Sequence, residues 1–129
     1  MQDIAHLIGQ ERVADVVDQF YERVRQHPTL QVPFAMVENW PEHKAILTHF
    51  WWNTLGGERY MDYRYAVASK HMAAGFTPEL LADWLALFKQ TLSEVLPPEL
   101  AEPWLERARL IGQSLTMMHE FQMAKPKTL

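Results

Sequence analysis

The stretch "FTPELLADWLALFKQTLSEVLPPE", residues 76 to 99, constrains this chain more than any other. Thr77 is placed to cap a helix, Pro78 suits its first turn, Glu79 favours the positive end of its dipole, and Pro97-Pro98 stop it. Leu81, Trp84, Leu85, Phe88, Leu92 and Val95 fall on one side, so this helix must bury a broad apolar stripe against other elements.

Other helices of the same kind are predicted to supply the cover. Val13, Val16, Val17, Phe20, Tyr21 and Val24 form one stripe of a helix that "HPTLQVP" breaks at Pro28. Residues 27 to 40 hold Pro28 and Pro33 and read as a loop or short turns carrying Val32, Phe34, Met36 and Val37. Pro41 suits the start of a further helix with His43, Ile46, Leu47, Phe50, Trp51 and Thr54 at helical spacing, ended by Gly56-Gly57. Residues 58 to 70 show no clear period and are expected to be irregular, with a short helical stretch around His71. A last helix is expected from about Pro103 to Ala124, with Leu105, Ala108, Gly112, Leu115, Met118 and Gln122 on one face. No alternating strand, repeat or low-complexity run interrupts this pattern, so the expected class is all-α.

With 129 residues, of which 48% are apolar, one compact domain over 1–129 is expected, with 1–9 an N-terminal extension and 125–129 a polar tail. The absence of cysteine excludes disulfides, thiolate metal sites and a thiol nucleophile, and fits a reducing compartment. No run of eighteen apolar residues and no basic flank before an apolar segment occur, so a cytoplasmic location and no membrane partner are expected. A net charge of -4, with Arg and Lys scattered among acids, argues against nucleic acid as a partner.

Two histidines stand six residues apart in "PEHKAILTHFWW". At about 100° per residue they lie about 240° apart around the helix, so they cannot share one metal. His43 falls within the apolar stripe, whereas His49 falls on its flank and reads as a solvated surface residue. Tyr21 and Trp84 also place hydrogen-bond donors on apolar stripes. Each could be an ordinary aromatic core residue. Three such tips meeting in one pocket with nothing to bond would cost roughly 1 to 3 kcal/mol each, so a polar guest would be needed. His71, between Lys70 and "MAA", has room for something flat beside its ring, or is a surface histidine at a helix end. HExxH, GxSxG and phosphate-loop motifs are missing, as is a repeated Glu-x-x-His pair.

The order Tyr21, Phe34, His43, Phe50-Trp51, His71, Trp84, carried by "QFYERVRQHP", "VPF", "EHKAILTHFW", "KHM" and "ELLADWLALF", resembles the truncated haemoglobins from about residue 4 to 122. The resemblance is greatest to their third group, for which Phe34 and His43 speak against the second. It implies a shortened globin fold, a 2-over-2 helical sandwich around haem b (iron protoporphyrin IX). His71 would be the proximal ligand of the iron, His43 the distal histidine, and Tyr21 and Trp84 the further donors. Phe34 would pack on the porphyrin, while Leu47, Phe50, Trp51 and Phe88 would line its slot. "LGGER" and "HMAAGFTP" depart from the third group's pattern, and Arg64 and Lys70 are the basic residues offered for the propionates.

The implied partners are dioxygen, nitric oxide, carbon monoxide or other small haem ligands, with an electron-donating reductase a further partner class. Three donors imply slow escape of dioxygen, which fits oxygen and nitric oxide chemistry or sensing rather than bulk oxygen transport. Nitric oxide dioxygenase and peroxidase-like activities are the enzymatic readings, and His43 closing onto the iron is a further one. A cofactor-free helical interaction module is the alternative.

Overall fold

The structure is a computed structural model and describes residues 3–61 and 76–124, with side chains to residue 121. Six helices are described: α1 Ile4–Ile8, α2 Gln10–Val24, α3 Gln31–Phe34, α4 Trp40–Thr54, α5 Pro78–Val95 and α6 Pro98–Ala124. No strand occurs among the described residues. Helix α2 packs against α4 and α5, α5 against α6, and α1 against α2 and α6.

Helix α2 buries all six residues of its predicted stripe. Its central Phe20 meets Tyr21, Trp84 and Phe88 edge-on at 4.8, 5.0 and 4.9 Å, which joins α2 to α5 through the face-to-edge geometry aromatic rings prefer. The same helix pair is tied at its surface by Arg23, which pairs with Glu94 and donates to Thr91 Oγ1. Lys44 of α4 reaches back to Asp18 Oδ1 at 2.8 Å and Glu22 Oε2 at 2.7 Å on α2.

The helix ends follow local chemistry. Thr77 caps α5 by accepting from the Leu80 N–H at 3.2 Å, as predicted, and Asn39 caps α4 by accepting from the Glu42 N–H at 3.1 Å. At the C-terminal end of α4, Gly56 has φ +105°, a conformation glycine adopts without penalty. Arg107 of α6 donates to the Thr54 carbonyl at 2.6 Å and satisfies an end group of α4.

The final helix begins earlier than predicted. Pro97-Pro98 both end α5 and start α6: the Pro97 carbonyl accepts from Leu100 and Ala101, while Pro98 occupies the first turn, where its lack of an N–H costs nothing. Pro103 therefore lies inside α6, which forgoes one backbone hydrogen bond there. Met118, expected on the buried face, is exposed. In the 27–40 connection, Leu30 and Pro33 are buried, whereas Val32 and Met36 point outward. Helix α1 is docked, with Ala5 and Ile8 buried and the Ala5 N–H bonded to the Leu55 carbonyl at 3.1 Å.

Candidate functional site

A small, largely apolar pocket, partly open to solvent, lies among α2, α3, α4, α5 and α6. Helix α2 contributes Tyr21 and α3 contributes Phe34. From α4 come Leu47, Phe50 and Trp51, and from α5 come Leu81, Trp84 and Leu85. The remaining wall is α6, with Ala108, Ile111, Gly112 and Leu115.

Most of the predicted site residues thus converge on one space: Tyr21, Phe34, Leu47, Phe50, Trp51 and Trp84 all line it. His43 is half-buried at its edge, with its ring 5.4 Å from Trp40, 5.9 Å from Tyr21 and 6.5 Å from Phe34. Phe88, expected in the slot, does not line this pocket. It is fully buried one layer behind, stacked on Trp84 at 4.8 Å and on Trp51 at 5.5 Å. His71, Arg64 and Lys70 lie outside the described residues.

The wall formed by α6 was not recognised as part of a site from sequence. Its signal was Gly112 in the middle of a buried stripe: a Cβ there would stand 3.2 Å from Leu85 Cδ1. A glycine in a helix interior is unfavourable by about 1 kcal/mol, which close approach of a neighbour explains.

Trp84 is 8% exposed, and its Nε1–H is buried with no hydrogen-bond acceptor among the described residues. Such a donor costs about 1 to 3 kcal/mol when left unsatisfied, so its place in a cavity wall points to a polar guest. The Trp104 indole N–H is in the same state away from the cavity lining, and nothing in the structure explains it. No cluster of three or more His, Asp or Glu able to hold a metal occurs among the described residues.

His49 overturns the expectation of a solvated histidine. It is 3% exposed, and its Nε2 faces Asn53 Nδ2 at 3.0 Å, the Tyr60 N–H at 3.1 Å and the Met61 N–H at 3.3 Å. The segment after α4 folds back over the helix flank and buries a second side of it. The angular separation from His43 stands: one histidine borders the cavity, the other sits beneath this segment.

Residues 5–122 match the family model of the bacterial-like globins. The chain belongs to that family. This globin is 34% identical over 117 residues to the group 3 truncated hemoglobin of Campylobacter jejuni, covering 86% of this chain and 91% of that protein. It is 29% identical to the group 2 truncated hemoglobin of Bacillus subtilis over 119 residues, covering 88% of this chain and 87% of that protein. Its fold matches the crystal structure of a Campylobacter jejuni group III truncated hemoglobin with a TM-score of 0.78 at 32% identity, over 86% and 91% of the two chains. The all-α, shortened-globin expectation is therefore met, as is the resemblance to the third group. Membership of a globin family implies haem binding and small ligands at the haem. No described helix is long and apolar enough to cross a membrane.

Proposed function

We propose that this globin holds haem b in the cavity and binds dioxygen and other diatomic ligands for oxygen or nitric oxide chemistry, or for sensing, rather than for bulk transport. The observation that carries this reading is the unsatisfied Trp84 Nε1–H in an otherwise apolar wall that also contains Tyr21. The residues present fit the group: Phe34, Leu47, Phe50 and Trp51 offer flat and branched apolar surface to a planar macrocycle. When bound, iron protoporphyrin supplies a metal whose open coordination position takes a diatomic ligand.

His71 is the residue assigned to the iron, through one imidazole nitrogen in its neutral form. Trp84 and Tyr21 donate hydrogen bonds to the polar end of the guest, and His43 stands at the cavity edge as a third donor. The largely apolar lining lowers the local dielectric, which strengthens each of these hydrogen bonds.

The absorbance spectrum of the purified protein tests the reading. A Soret band that His71→Ala removes is the expected result. A folded protein that stays colourless after incubation with haem overturns it and favours a cofactor-free interaction module. Ferrous spectra before and after carbon monoxide show whether His43 occupies the sixth position.

A further inference from the structure

Residues 58–61 follow α4. Trp52 Nε1 donates to the Glu58 carbonyl at 2.9 Å, and Arg59 Nε donates to the Met61 carbonyl at 2.8 Å. Two histidines from different helices complete the hold.

His6 of α1 directs Nδ1 at Asp3 Oδ1, 2.8 Å away, and Nε2 at Glu58 Oε1, 2.6 Å away, with its ring edge-on to Trp52 at 5.1 Å. Ionised carboxylates only accept, so both nitrogens donate, and both do so only in the imidazolium form. His49 does the opposite. Backbone N–H groups only donate, so the Nε2 that meets Tyr60 and Met61 must carry a lone pair, and the proton of a neutral ring sits on Nδ1.

We infer that residues 58–61 form a clamp that is closed only within a window of pH, held from one side by charged His6 and from the other by neutral His49. This goes beyond the haem reading and stands whether or not His71 ligates iron.

The groups around each ring act in the same sense. Asp3 and Glu58 face His6; the hydrogen bond to Asp3, then the charges of Asp3 and Glu58, hold its pKa above the ordinary 6.5. Arg59 and Tyr60 face His49; burial, then the Arg59 charge, hold its pKa below 6.5. Tyr60 is itself pushed up by burial and stays neutral throughout. Opening the clamp returns His49 to its ordinary value and takes from His6 the part of its shift that Glu58 supplies, while the Asp3 bond stays within α1. The His6 contribution is then complete below pH 6.5 and lost as pH rises through its raised pKa, whereas that of His49 is complete above 6.5 and lost as pH falls through its lowered pKa. The two overlap best near pH 6.5.

Amide hydrogen exchange of Tyr60 and Met61, referenced to the core amides of Phe20 and Trp104, tests this between about pH 5 and 8. Protection is expected to peak near the middle of that range and to fall on each side, by up to about tenfold per pH unit on the acid side and less steeply on the alkaline side, where the Glu58 partner is mostly exposed. His6→Lys keeps a cation opposite Asp3 and Glu58 and should remove the alkaline limb alone. His49→Gln supplies an oxygen acceptor that does not titrate and should remove the acid limb alone. A flat profile in the unmodified protein, or a limb that survives in its own variant, overturns the proposal. Should His49→Gln fail to fold, the unmodified protein and His6→Lys still decide it. The imidazole nitrogen spectrum gives an independent reading: an Nε2–H tautomer for His49 overturns the proposal, and an Nδ1–H tautomer supports it.

Discussion

His49 Nε2 accepts the Tyr60 backbone N–H at 3.1 Å from a position that is almost wholly buried on α4. The consequence is a stability role. His49→Ala should lower unfolding free energy by about 1 to 3 kcal/mol, because two backbone N–H groups lose their acceptor, and the midpoint of urea denaturation reads it. Because the folded pKa lies below 6.5, this difference from the unmodified protein should be full above pH 6.5 and shrink as pH falls through the lowered value.

Trp84→Phe keeps the ring that stacks on Phe88 and removes the N–H. Dioxygen should leave the haem-loaded protein roughly 2 to 12 times faster, the equivalent of one net hydrogen bond of about 0.5 to 1.5 kcal/mol. Tyr21→Phe should act in the same direction, while carbon monoxide, the less polar guest, should change less in both. Stopped-flow ligand displacement measures these rates, and an unchanged dioxygen rate contradicts the donor role.

Gly112 separates two effects on the α6 wall. Gly112→Ala asks only that the end of Leu85 give way by a few tenths of an ångström, and should leave porphyrin uptake intact. Gly112→Leu, with several more atoms, should reduce porphyrin retention while far-ultraviolet circular dichroism shows the helices still formed. Equal retention in the two variants would place the porphyrin elsewhere.

Gly57 lies directly under an indole. A Cβ there would fall 2.1 Å from Trp52 Cε2, and Trp52 is held in place by its bond to the Glu58 carbonyl. Gly57→Ala should therefore cost about 1 to 3 kcal/mol by displacing a buried ring, seen as a lower thermal midpoint.

The sequence was most informative where one face of a helix decides burial. Helix α2 has its neighbours on one side, so its stripe could be read directly, and the same holds for the capped start of α5 at Thr77. His49 was misread because the stripe of α4 marks a single buried face, whereas the chain after Gly57 returns across the flank and creates a second one. No local spacing encodes that return. Phe88 shares a stripe with Trp84, and period alone does not tell a wall residue from the one behind it. Pro103 suits a helix start equally well by local rules, but Pro97-Pro98 already supply one. The convergence of Tyr21, Phe34, Leu47, Phe50, Trp51 and Trp84 was legible through the family resemblance, because each stripe alone also fits an ordinary core.

The cavity bounded by α2, α3, α4, α5 and α6 has one further consequence, for the lifetime of the protein rather than its chemistry. A guest bound there would favour the folded chain over the unfolded one and so stabilise the fold in proportion to the logarithm of its concentration. Chains made when that guest is scarce spend more time locally open, and proteases find them first. On this reading the abundance of the protein would follow the supply of its guest.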